Sequence, residues 1–366
     1  MSEQKNLQGI RESIDALDEK IQELIRQRAE CALEVARTKR ESAKDNGESL
    51  SDFYRPEREA EVIRLAQKRN DGPLSDETVG RLFREIMSAC LALQSPMKIA
   101  FLGPEGTFTQ AAAVKHFGHE VNTVSLAAIG EIFRDVEAGN SQYGVVPVEN
   151  STEGVISHTL DMFMQSPLQI CGEVELRIHH YLLSSMTSLD DITHVYSHQQ
   201  SLAQCREWLD ANLPNAQRTA VSSNAEAARR VANEKGAAAI ASETAAEIYK
   251  LNSLAAKIED EPDNTTRFLI IGKNAIEPTG EDKTTCLVSI VNKLGALHEL
   301  LSPFSKHEVN LTRIESRPSR RGNWDYVFFI DIDGHAKTDS VAKALAELGE
   351  EAAMLKILGS YPKAIL

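Results

Sequence analysis

Apolar residues recur along the first quarter of the chain at alternating spacings of three and four: Leu7, Ile10, Ile14, Leu17, Ile21 and Leu24. The spacing predicts a long helix, from near Leu7 to near Arg40, whose one stripe packs along its length against another helix. A second helix is predicted to start near Arg55-Pro56-Glu57-Arg58-Glu59, with Pro56 in its first turn. A third opens at Ser75-Asp76-Glu77 and carries Leu82, Phe83, Ile86, Cys90, Leu93 and Gln94. Residues 1–95 therefore read as all-helical. Residues 98–273 alternate short apolar runs with Ala-rich helical windows, the pattern of α/β lobes. Residues 284–362 read strand, helix, strand, strand, helix, strand: Thr285–Val291, Ala296–Ser305, Val309–Ser316, Trp324–Asp333, Ser340–Gly349 and Met354–Ser360. The seams are LALQSPMK (91–98) and GKNAIEPTGEDK (272–283), both rich in helix stops or turn formers.

The first stripe is interrupted by charge. Arg28 and Lys39 both project within about 20° of its centre at about 100° per residue. Buried cations are costly unless something anionic meets them. Either Arg28 pairs with a core glutamate or the seam frays there, or the two cations grip a small anion between them. They lie only about 16 Å apart along the axis, whereas Arg11 is roughly 25 Å from Arg28. Arg11 could reach such a ligand only from a second copy of the helix, so the spacing suggests a dimer.

Composition narrows the partners. Forty basic and 54 acidic residues leave a formal charge of −14, with no basic run interleaved with aromatics. Nucleic acid and anionic membrane surfaces are therefore not expected as partners. No run approaches the roughly 18–20 apolar residues of a membrane span, and mean hydropathy is −0.30. The N-terminus lacks a short apolar signal core, so a cytoplasmic protein is expected. Five scattered cysteines, with no CxxC pair, encode neither a disulfide framework nor a metal site.

The pattern IRESIDALDEKI…RQRAECALEVARTK…RPEREAEV…RLFREIMSACLALQ resembles the all-helical chorismate mutase family over nearly all of residues 5–95. The resemblance implies an intertwined homodimer that binds chorismate. It assigns Arg28, Lys39, Arg58, Glu59, Cys90 and Gln94 to one site, with Arg11 donated by the other subunit. Arginines would hold the two carboxylates; Lys39 and Gln94 would meet the ether oxygen. Cys90 stands where many members have serine. Arg55 stands where an acid is frequent, and Asp52 is nearby but out of register. A Claisen rearrangement needs no nucleophile, metal or cofactor, only a held conformer and fixed donors at the ether oxygen.

In the middle region, KIAFL (98–102) leads into GPEGTFTQAAAVKHF, a glycine loop opening a helix. Such a junction is either a tight turn or a cradle for an anion. Similar junctions recur at YGVVPVENSTEG (143–154), HVYSHQQSLAQC (194–205) and AAAIASETAAEI (237–248), which gathers polar residues at strand ends and makes a cleft. With SNAEAA (223–228) and Asn264-Thr265-Thr266-Arg267-Phe268, the ordered motifs resemble prephenate dehydratase. The implied fold is a two-lobed, periplasmic-binding-protein-like α/β domain with its active site between the lobes. The implied essential residue is Thr266, donating to the departing ring hydroxyl. Arg267 either binds a carboxylate or pairs with a neighbouring acid. Thr107, Asn150, Ser151, Ser197 and Gln199 are candidates to line the site, or to cap helices instead. His179 and His180 in a β-rich run fall on opposite faces, which argues against a shared metal ion, and His198 is a further candidate in a loop.

The last stretch, with Gly295-Ala296-Leu297 opening a helix and Glu315-Ser316-Arg317-Pro318 ending a strand, resembles the ACT regulatory domain, an α+β ferredoxin-like (βαββαβ) fold. The resemblance implies phenylalanine as effector in a dimer interface, held by Gly295–Leu297 with Glu315–Pro318 as the facing wall; a purely dimerising domain is the alternative. Together the expectation is a cofactor-free bifunctional enzyme, a mutase (isomerase) and a dehydratase (lyase), that converts chorismate to prephenate and prephenate to phenylpyruvate. Two rivals stay open: a helical domain that only dimerises, and a non-catalytic amino-acid-binding regulator.

Overall fold

The computed structural model describes residues 2–46, 53–152, 154–290, 293–318 and 326–365. Asp52, the strand end expected at Val291 and the strand start expected at Trp324 lie outside the described residues. The chain divides into two compact units: one takes in Met1–Arg55, Val62–Met97 and Phe117–Val121, the other Pro56–Glu61, Lys98–His116 and Asn122–Leu366.

In the first unit, helix α1 (Ser2–Asn46) is longer than its apolar stripe requires. Helix α2 (Pro56–Lys68), whose Pro56–Glu61 start is counted with the second unit, follows an extended Arg55, the conformation a residue before proline prefers. Helix α3 (Asp76–Gln94) starts where Ser75 Oγ accepts a hydrogen bond from Thr78 N at 3.2 Å, the expected N-cap. Among the described residues, nothing covers the α1 stripe. Leu7, Ile10, Ile14, Leu17, Ile21 and Leu24 are each 50–63% exposed.

From Lys98 the second unit builds β1 (Lys98–Leu102), α4 (Phe108–Phe117), β2 (Asn122–Leu126), α5 (Ile129–Ala138), β3 (Tyr143–Asn150), the short β4 (Gly154–Val155), α6 (Ser157–Phe163) and β5 (Gln169–Arg177). The chain then crosses into a second lobe: β6 (Tyr181–Ser184), β7 (His194–Ser197), α7 (Gln199–Gln204), α8 (Arg206–Asn212), β8 (Gln217–Ala220), α9 (Asn224–Val231), β9 (Ala237–Ala241), α10 (Glu243–Tyr249) and β10 (Asn252–Ala255). It returns through β11 (Thr265–Gly272). The first sheet has the order β2-β1-β3-β11-β5, and the second β10-β6-β9-β7-β8. Because β11 comes home antiparallel between β3 and β5, it sets Thr266 opposite Asn150 and Arg267 opposite Glu149.

The C-terminal stretch forms β12 (Asp282–Ser289), α11 (Ala296–Lys306), β13 (Leu311–Pro318), β14 (Tyr326–Asp333), α12 (Asp339–Glu351) and β15 (Met354–Pro362), in sheet order β13-β14-β12-β15. It belongs to the same compact unit as the lobes. One apolar cluster runs from Val146, Val148, Leu269 and Ile271 of the first lobe's sheet to Leu287, Val327, Phe329, Leu358 and Tyr361 of this one. Helices α11 and α12 cover its other face through Leu300, Phe304, Val341, Leu345 and Leu348. At Gly359 the approach is so close that a Cβ would overlap Ile170 O, a position where only glycine fits.

Candidate active site

A cavity of about 410 Å³ opens between the two lobes. Its floor comes from strand ends and helix starts of both: the 103–109 loop before and into α4, Asn150 at the end of β3, His198 to Gln204 around α7, Ser222 to Asn224 at the start of α9, and Asn264, Thr266 and Phe268 on β11. The glycine loop is tied across to the second lobe, since Ser242 Oγ donates to Gly106 O at 2.8 Å and Tyr249 Oη donates to Glu105 O at 3.0 Å. Gly106 has φ +85°, and a Cβ there would crowd Ala245 at 3.3 Å. Among the described residues, no Lys, Arg, Asp or Glu lines this cavity.

Its centre is a buried pair. Asn150 Nδ2 donates to Thr266 Oγ1 at 2.8 Å and to Asn264 Oδ1 at 2.9 Å, while Asn150 Oδ1 accepts from Thr152 N at 3.0 Å. Both amide hydrogens of Asn150 are thus spent on fixing its neighbours. Thr266 Oγ1 is an acceptor from Asn150, which leaves its own hydroxyl hydrogen available to the cavity. Three further polar atoms wait there. Asn264 Nδ2, Gln204 Nε2 and His180 Nδ1 are buried without a hydrogen-bond partner among the described residues, and all three residues line the cavity. His180 Nε2 lies 2.9 Å from Gln204 Oε1. Burial holds the imidazole below its usual pKa, so the neutral ring donates from Nε2 and aims the Gln204 amide.

The sequence-based candidates divide. Thr107, Asn150 and Thr266 reach the cavity, as does His198. Thr107 Oγ1 also donates to Leu102 O at 2.9 Å. Ser151 is exposed and instead bonds the 263–265 backbone, accepting from Thr265 N at 2.9 Å. Ser197 is buried behind the wall, its hydroxyl shared between Asn224 Oδ1 at 2.9 Å and Ile240 O at 2.7 Å, where it fixes Asn224 rather than a ligand. Gln199 is exposed and does not line the cavity, whereas Gln200 and Gln204 do. Arg267, expected as a carboxylate binder, is on the wrong face. Side chains alternate along a strand, so the neighbour of Thr266 points away from the cavity. Its guanidinium meets Glu173 at 2.8 Å, Asp331 at 2.6 Å and the Tyr361 hydroxyl at 3.0 Å. Of the two sequence-level options for Arg267, pairing with neighbouring acids is the one the structure adopts.

In the helical unit, Arg40 Nη2 donates to Gln94 O at 2.6 Å, which sets the end of α3 beside the Lys39 turn of α1. The Lys39 ammonium lies 5.3 Å from the Phe53 ring centroid. Cys90 is buried on α3. Arg28 is half-buried and Arg11 exposed, and among the described residues neither has an ion-pair or hydrogen-bond partner. Arg58 is exposed on α2 and pairs with Glu61 at 2.9 Å, one turn on; Glu59, its neighbour, is half-buried.

A second cavity, about 260 Å³, is lined by Ile290, Lys293, Gly295, Ala296, Leu297, His298, Tyr326 and Phe328. The expected Gly295–Leu297 segment is in it. Glu315–Pro318 is not, and β13 splits that motif between two faces. Ser316 and Pro318 pair across the ladder with Phe328 and Tyr326, on the cavity's side of the sheet. Glu315 and Arg317 face the other way, and Arg317 Nη2 binds Asp161 at 2.9 Å.

Comparison with known proteins adds names to this geometry. Residues 10–95 match the family model described as chorismate mutase type II, residues 99–276 that of prephenate dehydratase, and residues 284–350 that of the ACT domain. A bifunctional chorismate mutase/prephenate dehydratase of Pseudomonas aeruginosa is 58% identical over 367 residues, covering all of both chains. Among solved structures, a prephenate dehydratase from Arthrobacter aurescens in complex with L-Phe is 38% identical with a TM-score of 0.68, covering 73% of this chain and 90% of that one. A protein described as GqqA, a novel type of quorum quenching acylase, has the same TM-score at 28% identity, covering 73% of this chain and 98% of its own. One fold thus carries more than one described activity, and chemistry has to be argued from the site.

Proposed function

The chain belongs to the bifunctional chorismate mutase/prephenate dehydratase family, and from that premise we propose which of its residues perform each step. The enzyme rearranges chorismate to prephenate, then dehydrates and decarboxylates prephenate to phenylpyruvate, under feedback from phenylalanine.

For the second step, the bond from Asn150 to Thr266, in a cavity that no Lys, Arg, Asp or Glu lines among the described residues, carries the assignment. Thr266 passes its hydroxyl hydrogen to the ring hydroxyl, which departs as water, and a proton from solvent restores the threonine hydroxyl, so one solvent proton is consumed per turnover. The carbon–carbon bond to the ring carboxylate breaks, its electron pair enters the ring, and carbon dioxide leaves. Aromaticity supplies the driving force, so the protein need only assist the leaving group and leave the departing carboxylate unstabilised. An arginine clamp on that carboxylate would favour the ground state. The second carboxylate keeps its charge and is suited to the N–H groups at the start of α4. Asn264 Nδ2 and Gln204 Nε2, buried without a partner among the described residues, are further donors for substrate oxygens.

For the first step, Arg28 and Arg58 bind the chorismate carboxylates, Lys39 and Gln94 meet the ether oxygen, Glu59 and Cys90 complete the wall, and Arg11 of the partner subunit closes it. The half-exposed stripe of α1 supports a homodimer: a second copy would bury it, each large apolar side chain gaining about 1.5–3 kcal/mol on full burial. Light scattering is expected to give the mass of two 40.4 kDa chains; a stable particle of one chain would refute the shared site. Five free cysteines support placement in a reducing cytoplasm. No helix among the described residues is long and apolar enough to cross a membrane.

The deciding experiment is an ultraviolet assay of the purified chain given chorismate alone. Phenylpyruvate is expected to accumulate, and added phenylalanine to slow it. No phenylpyruvate from either chorismate or prephenate would overturn the enzyme assignment.

A further inference from the structure

Directly behind the reacting pair stands a square of charge. Asn150 and Thr266, opposite each other on β3 and β11, face the cavity; their chain neighbours Glu149 and Arg267, also opposite each other, face the C-terminal sheet. There they meet a second cross-strand pair, Arg313 on β13 and Asp331 on β14. Arg313 Nε binds Glu149 at 2.8 Å, and Arg267 Nη1 binds Asp331 at 2.6 Å. The Arg267–Asp331 pair is buried, its side chains 12% and 3% exposed, while in the Arg313–Glu149 pair the arginine is 14% and the glutamate 36% exposed. Glu173 and Lys283, paired at 2.8 Å, extend the cluster, and Thr285 donates to the far oxygen of Asp331 at 2.7 Å.

We propose that this square is a positioning device for Asn150 and Thr266, and the route by which the effector domain acts on them. It rests on the assignment of those two residues to the dehydratase step. Planar, buried guanidinium groups fix the strands that bear their partners, and a strand whose side chain is fixed on one face has its next side chain fixed on the other. Both ladders are irregular at this spot. The β3–β11 register shifts between Arg267 and Phe268, and the β13–β14 register between Leu311 and Arg313. Such irregularities re-aim side chains beside active sites and are points where a strand can slide or turn. Strand β13 does not line the effector cavity, but it pairs with β14, whose Tyr326 and Phe328 do. Strand β13 is an edge strand whose far end carries Ser316 and Pro318, on the side of the sheet that bears Tyr326 and Phe328. A ligand that binds better to one position of β13 than to another shifts Arg313 against Glu149, and so alters the aim of Asn150.

The test uses the full chain with Arg313→Gln. Mutase turnover in the same preparation reports that the chain is folded and counts its sites. Expected results are a fall of about tenfold in dehydratase kcat, a KM within twofold of wild type, and a phenylalanine inhibition midpoint raised at least tenfold; Arg313→Lys, which keeps the charge, recovers most of both. A brace with no regulatory role would lower kcat but leave the phenylalanine response untouched, and that result overturns the transmission claim. Unchanged kcat and unchanged inhibition overturn the whole proposal. If the glutamine variant does not fold, Asp331→Asn removes the opposite charge at constant volume and is read in the same way. Full activity in a Thr266 variant would instead sink the site assignment beneath it.

Discussion

Replacing Thr266 by valine is expected to cut prephenate turnover by about a thousandfold, within the range that a positioned proton donor supplies, while chorismate turnover in the same chain stays within twofold. Valine matches threonine in shape, so the cavity is preserved and only the hydroxyl goes. Serine at the same position should restore much of the activity. The loss has a second, independent signature. Asn150 Nδ2 spends one hydrogen on Thr266 Oγ1, and with valine that buried donor is orphaned at a cost of about 1–3 kcal/mol. Denaturant unfolding of the α/β unit should register the deficit. A valine variant that still makes phenylpyruvate at the wild-type rate would return the middle region to the rival reading of a binding module.

Arg28→Ala should act on the other half. Truncating one partner of a desolvated charge pair costs about 3–5 kcal/mol, so chorismate turnover is expected to fall by about a hundredfold to several thousandfold, with prephenate turnover intact. Lysine should restore little, because a point charge cannot form the bidentate bond that a carboxylate accepts. Stability should move the opposite way from the Thr266 case. Arg28 has no ionic partner among the described residues, so removing it from the stripe leaves folding unharmed or improves it. A variant that lost both activities together would mean that the helical unit supports the rest of the chain, rather than running its own reaction.

What the sequence made legible was set by periodicity. The three-and-four spacing located α1, the Ser75 cap located α3, and the strand–helix junctions located the cavity, because each is a local pattern with a local cause. Whether Arg28 met an internal acid could not be read from spacing, since that depends on elements distant in the chain. Nearness to Thr266 leaves both options for Arg267 open, and strand alternation decides between them: Asn264, Thr266 and Phe268 share the cavity face, and Arg267 cannot. The same alternation splits Glu315 and Arg317 from Ser316 and Pro318. His180 and Gln204 carried no signal as site residues. Their role comes from a hydrogen bond between β6's approach and α7, a contact of long sequence separation, although period-two logic had already parted His180 from His179. The seam at 272–283 marks a change of pattern but not of compactness, because the apolar face of β11 and β3 is completed by Val327, Phe329 and Leu358 from beyond it.

Gly359 shows what that completion means. Where its backbone passes Ile170 there is no room for even a methyl group, so the regulatory layer is keyed into the catalytic sheet like a tenon in its mortise. A chain cut at the seam would therefore lose, along with its sensor, the layer that packs behind the strands bearing Asn150 and Thr266.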